Sequence, residues 1–231
     1  MARAVRNIPS GRLSRPGYSR ACMTSKVATT VVVSAGIGIA SLVGFILQKE
    51  VRARYEANTM VTVLGDATAQ LKVGTKTVPP GALEKLDANL KEVKGWHHVE
   101  RASATEEYLV SVREILRRRA EADRLVQKAA ASRVALAAHM DRAGRRDSHW
   151  IRTASALKKQ VERDHFDLNL QLNALAELLE SLPQTTKRLA PHARASLLYD
   201  DYSRRLAQES VLAEAKRAQL QLDKTRSLVP Q

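Results

Sequence analysis

Ile151-Arg-Thr-Ala-Ser-Ala-Leu-Lys-Lys-Gln-Val-Glu-Arg-Asp-His-Phe-Asp-Leu-Asn-Leu-Gln-Leu-Asn-Ala-Leu-Ala-Glu-Leu-Leu-Glu-Ser-Leu182 is the stretch on which the fold turns. Steps of three and four residues taken alternately from Ile151 land on Ala154, Lys158, Val161, His165, Leu168, Leu172, Leu175, Leu179 and Leu182. On a helix those steps return to one face, whereas on a strand they would scatter over two. All but Lys158 and His165 are apolar, which is the pattern of a coiled-coil or bundle seam. Val161, Leu168, Leu172, Leu175, Leu179 and Leu182 are therefore its predicted packing residues. Polar residues on a seam either fix partner number and register or mark a frayed, solvated end. We expect the frayed end for Lys158 and His165. Pro183 is expected to stop this helix.

The chain on either side reads the same way. Asp141-Arg-Ala-Gly-Arg-Arg-Asp147 is a turn, and before it Leu109, Val112, Leu116, Leu125, Ala129, Leu136 and Met140 line a long helix. Ser103-Ala-Thr-Glu106 has the spacing of a capping box and predicts the start of that helix. Leu83, Leu86, Leu90 and Val93 form a shorter helix ended by Gly95. Gly74-Thr-Lys-Thr-Val-Pro-Pro-Gly81 separates it from what precedes, since paired prolines cannot continue a helix. A last helix, starting or kinked near Pro191, carries Leu198, Tyr202, Leu206, Leu212 and Leu220. Aromatics are only 4% of the 231 residues, against 44% hydrophobic residues overall, with 10 Gly and 7 Pro. Such a composition is poor in sheet formers and suits helices.

Twenty-one consecutive uncharged residues run from Val27 to Leu47, bounded by Lys26 and by Gln48-Lys49-Glu50. As a helix they are about 30 Å long, the thickness of a bilayer's hydrocarbon core. A signal-peptide core is shorter, about 7–15 residues, and ends at a small-residue cleavage site; this run ends in Phe45-Ile46-Leu47 and passes directly into charged sequence. Gly36 and Gly38 after Val31-Val-Val invite a dinucleotide-loop reading, but Ser41 stands at its third small position and no second strand follows. The glycines fit a membrane helix better: Gly36, Ala40 and Gly44 form a small-residue ridge suited to helix–helix association.

The formal charge of +14 is unevenly spread. Residues 1–26 hold six of the 38 basic side chains and no acidic one, leaving 32 basic against 24 acidic residues in the rest. Arg-rich, Ser-containing and free of acids, that segment resembles a mitochondrial transit peptide or a basic topogenic tail. With the positive-inside rule it places the N-terminus on the synthesis side and the C-terminal part across the membrane, with the mitochondrial inner membrane slightly favoured over a bacterial one.

The expected fold is thus all-α: one N-terminal transmembrane helix followed by long helices in an antiparallel bundle or coiled coil. Its domains are a basic tail (1–26), a membrane helix (27–47), a juxtamembrane helix and Pro/Gly linker (48–80), and a helical bundle or coiled-coil domain (81–231).

Chemistry is scarce. One cysteine, Cys22, excludes a disulfide framework and a cysteine zinc site. The six histidines form no His-Glu-x-x-His pattern, and His97-His98 reads as a polar loop. Ser155-Ala-Leu-Lys158 lacks the companion motifs of Ser-x-x-Lys enzymes. Arg117-Arg118-Arg119 is surrounded by Glu114, Glu121 and Asp123 without a nearby aromatic, which describes a solvated helix face better than a nucleic-acid surface. No catalytic, metal or cofactor residues are assigned. The expected partners are the lipid bilayer and other helical proteins or a second copy of the chain, with no nucleic acid favoured and no small-molecule substrate. The expected function is a membrane-anchored scaffold or tether. The alternatives are an accessory subunit or assembly factor of a respiratory-type membrane complex, and a basic helical nucleic-acid-binding protein.

Overall fold

The computed structural model describes the backbone of residues 20–141, 147–195, 197 and 201–227, and side chains from residue 43 onward within those ranges. Six helices follow one another: α1 (Arg20–Gly74), α2 (Ala82–Lys94), α3 (Val99–Met140), α4 (Ser148–Arg188), α5 (Pro191–Ala195) and α6 (Asp201–Ser227). No strand occurs among the described residues. Two compact units divide the chain, Met1–Arg52 and Ala53–Gln231, and α1 runs through the boundary between them.

Only residues 43–52 of the first unit have described side chains, and all of them are exposed. No helix, over the described residues, is long and apolar enough to cross a membrane. The uncharged run belongs to α1, but most of it, including Gly36 and Ala40, lies outside the residues whose side chains are described. So does the basic segment 1–19.

The second unit is a bundle whose topology can be read from its polar pairs. Lys128 meets Asp164, Arg118 meets Gln171, and Arg188 meets Glu107, so α3 and α4 are antiparallel. Lys158 meets the Arg226 carbonyl, Asn169 meets Gln219, and Arg204 meets the Leu179 carbonyl, so α4 and α6 are antiparallel as well. Tyr55 with Glu92 and Asp66 with Lys85 set α2 against the end of α1. Lys94 with Glu106 and Asp87 with Arg113 set it against the start of α3. Short connections between long helices favour this up-and-down arrangement. Residues 53–80, set apart from the bundle in the sequence reading, belong to it: Met60, Val63, Leu64, Ala67 and Leu71 of α1 join its core.

Two boundaries differ from those expected, each because of a distant partner, and so does the inward face of the last helix. Helix α3 begins at Val99, ahead of the Ser103 capping box. Its entry is fixed by the buried Glu56 of α1, whose carboxylate accepts the His97 and His98 amides at 2.8 and 3.3 Å. Pro183 does not stop α4, which continues to Arg188. A proline leaves the carbonyl four residues earlier without its helical donor, and the Arg204 guanidinium donates to that carbonyl, Leu179, at 3.3 Å. Finally, α6 buries Val211, Ala215, Ala218, Leu222 and Thr225. Tyr202, Leu206, Leu212 and Leu220, expected to pack inward, are exposed; Leu198 lies outside the described residues.

Two glycines are required by geometry. Gly81, with φ 75°, takes the left-handed conformation that starts α2 after the proline pair. Gly74 ends α1 against Leu116, whose side chain fills the place a Cβ would need.

The Pro183–Arg204 pairing predicts a coupled effect. Arg204→Met should destabilise the bundle by about 1–2 kcal/mol, because it leaves a helical carbonyl without a donor. Pro183→Ala restores the donor, so in that background Arg204→Met should cost distinctly less. Denaturant unfolding of the four proteins measures the coupling, and equal costs in both backgrounds would refute it.

Candidate functional site

The predicted seam lies inside the bundle. Val161, Leu168, Leu172, Leu175, Leu179 and Leu182 are all buried, together with Ala154, in the unit that α4 shares with α3 and α6. Ile151, at its start, is exposed. The face that recommended itself for an outside partner is therefore taken up inside the chain.

Neither polar residue of the seam marks a solvated end, contrary to expectation. Lys158 reaches the last turn of α6 and donates to the Arg226 carbonyl at 3.1 Å, where a cation meets the negative end of a helix dipole. His165 is only 4% exposed. Beside it Asp164, its side chain 1% exposed, receives the Lys128 ammonium at 2.9 Å and the Gln160 amide at 2.8 Å on Oδ1. Burial pushes the Asp164 carboxyl up, but the donors Lys128, Gln160 and Ser132 and the charge of Lys128 outweigh it and hold the group below the ordinary carboxylate value. The Ser132 hydroxyl nevertheless points at the Ala129 carbonyl, and Oδ2 of Asp164 has no hydrogen-bond partner.

This polar layer interrupts the apolar interior. Leu168, Ala129 and Ala218 belong to the main core cluster, whereas Val161, Leu136 and Leu222, buried on the other side of the layer, do not. Both His165 ring nitrogens are buried without partners. Burial first, then the nearby Arg133 cation, push its pKa down, with Asp164 partly opposing them.

A second buried charge joins α3 to α6. Arg119 donates to Glu214 at 2.9 Å and pairs with Asp123 at 2.9 Å. Its neighbours are surface residues: Arg117 forms a two-pronged bond to Glu114 on the same helix, and Arg118 bonds Glu114 and Gln171. These arginines hold the Glu114 carboxyl down at about 2, the Arg117 hydrogen bond being the largest cause. The triple arginine is thus not a uniform solvated face, because its third member is inside the bundle. Sequence spacing contained the signal: Val112, Leu116 and Arg119 follow the same four-three steps as the apolar residues around them. Glu56 and Arg204 carried no such signal, since their partners are 41 and 25 residues away.

Higher up α1, Tyr108 of α3 and Thr68 of α1 share a buried hydroxyl pair at 2.9 Å. Burial raises the Tyr108 pKa to about 12, against the lowering effect of the Thr68 bond. At the other end of α3, the His139 ring stacks on Trp150 with centroids 5.1 Å apart.

Of the proposed membrane-helix ridge, only Gly44 is described, and open space surrounds it. Among the described residues no group of three His, Cys, Asp or Glu side chains is arranged to hold a metal ion. What the buried polar groups can do is fix register: an Arg, a Lys and an Asp each have partners that only one alignment of α3, α4 and α6 supplies. No protein-family model, curated protein or solved structure matches the chain.

His165 predicts an acid-side loss of stability. The unfolded chain takes up a proton as pH falls through about 6.5, while the folded chain, with a lower histidine pKa, resists it. Stability linked to this group is therefore complete above about 6.5 and declines until pH reaches the folded value. Unfolding between pH 7.5 and 5.5 should show this slope. His165→Leu should flatten it and leave stability at pH 7.5 equal or higher; an unchanged slope would remove His165 as its source.

Proposed function

We propose that the chain is a single-pass, membrane-anchored helical scaffold that acts through protein–protein contacts. The observation that carries this reading is at the described end of the uncharged run. Val43, Gly44, Phe45, Ile46 and Leu47 are all exposed, and five successive helical residues at about 100° each encircle the helix. A helix facing water shows a polar side; this one presents none until Gln48 and Lys49. Lipid is the medium that suits an apolar surface all the way round. The Lys49 ammonium lies 4.8 Å from the Phe45 ring centroid, as a cation at the headgroup level can when it turns towards an aromatic neighbour.

Two features support contacts with protein in place of catalysis or nucleic-acid binding. The bundle's buried charges, Arg119 on Glu214 and Asp164 under Lys128, are spent on aligning one helix with the next. Its densest basic cluster is spent internally, with Arg117 and Arg118 on Glu114 and Arg119 on Glu214 and Asp123.

Carbonate extraction of membranes tests the anchor. The protein should stay in the membrane pellet, whereas Ile37→Arg, which places a charge at the middle of the run at a cost of about 2.5–3.5 kcal/mol, should move it largely into the soluble fraction. Release of the unaltered protein by carbonate would overturn the proposal.

A further inference from the structure

The seam of α4 is used up within the chain, yet α6 carries a second three-four series that nothing in the bundle covers. Tyr202, Leu206, Glu209, Ala213, Lys216 and Leu220 follow steps of four and three and are all exposed. They lie within about 40° of one line along the helix. Tyr202 is 75% exposed, Leu206 56% and Leu220 52%. The opposite face of α6, with Val211, Ala215, Ala218 and Leu222, is the one that packs into the bundle.

The outward series is complementary to itself about its own midpoint. Seven residues separate Ala213 from Leu206 on one side and from Leu220 on the other. Glu209 is four residues before it and Lys216 three after, both displaced to the same side of the line. Turning a second copy about a two-fold axis at Ala213 sets leucine against leucine and acid beside base, with each pair occurring twice. The alanine at the crossing lets the two backbones approach closely. Tyr202 comes level with Lys224 of the second copy, which is also exposed and offers a cation to the ring. Beside Leu206, between the end of α1 and α6, lies a groove of about 490 Å³ lined by Lys72, Thr75, Ala207 and Ser210, room for the incoming Leu220.

We propose that this face is where a second copy of the chain docks, through an antiparallel α6–α6 pair with Ala213 on the two-fold axis. The inference concerns the helical bundle and does not depend on the membrane anchor.

Full-length protein in detergent micelles, with Cys22→Ser as background, allows a site-specific test. Under mild oxidation Ala213→Cys should give a disulfide-linked dimer in most of the population. Arg226→Cys, also exposed but about 40 Å from its counterpart in such a pair, should stay monomeric. Anchor association alone would give no preference for position 213, so equal or absent cross-linking at the two positions overturns the proposal.

Charge exchange provides the second measurement. Glu209→Lys and Lys216→Glu should each raise the dimer dissociation constant at least tenfold, with unchanged circular dichroism. Mixing the two variants should restore association to within about threefold of the unaltered protein, because each supplies the charge the other lost. Failure of the mixture to recover would equally overturn the pairing.

Discussion

A helical face can be buried only once, and the bundle depends on where α4 buries its own. The stripe from Ala154 to Leu182 is consumed between α3 and α6, and the remaining arrangement follows. Because α4 is antiparallel to both, α3 and α6 run in the same direction and can be joined by Arg119 and Glu214. Helix α3, long enough to extend past α6, presents its first turns to α1 and α2 as well. An apolar seam alone would tolerate a shift of one heptad. Lys128 on Asp164, Arg119 on Glu214 and Lys158 on the end of α6 each lose their partner in a shifted register, so the polar groups supply the uniqueness and the leucines the free energy. Lys128 and Arg119 are the costlier losses, because the carboxylate of Asp164 and the guanidinium of Arg119 are buried.

Much of this was legible in the sequence, and what was not has two kinds of cause. Helix periods, the break at Pro79-Pro80, the end of α3 at Met140 and the seam itself are local signals, carried by residues within one or two turns of one another. Both boundary discrepancies arise where a side chain from elsewhere replaces a local rule. Glu56 caps the segment before Val99, so the capping box at Ser103 is bypassed. Arg204 takes the carbonyl that Pro183 frees, so the proline does not end its helix. On α6 the inward face is set by close approach rather than by side-chain size. Helices packed closely can prefer alanine, and Ala215 and Ala218 face inward while the bulkier Leu206 and Leu220 face out. Arg119 shows the reverse error, a charge read as surface although its spacing placed it on the buried stripe.

The overall charge of +14 is divided in the same manner. Its acid-free part precedes the uncharged run, the side on which the proposed anchor would carry its topology signal. Some of the bundle's own basic residues are matched to acids: Arg113 to Asp87, Arg124 to Glu121, Arg188 to Glu107. Exposed pairs of this kind contribute at most about 1 kcal/mol each. The candidate site, by contrast, was legible only in part. The sequence nominated α4 for association, and folding withdraws that face and leaves α6 in its place.

The proposed anchor puts the apolar end of the uncharged run in lipid and leaves the bundle in water. Spin labels report this directly. With Cys22→Ser as background, a label introduced by Phe45→Cys in protein reconstituted into vesicles should collide readily with oxygen, which concentrates in hydrocarbon, and poorly with a water-soluble nickel chelate. A label introduced by Lys76→Cys should show the opposite preference. If the label at residue 45 meets the nickel chelate as freely as the one at residue 76, the run is not in a membrane and the account is wrong.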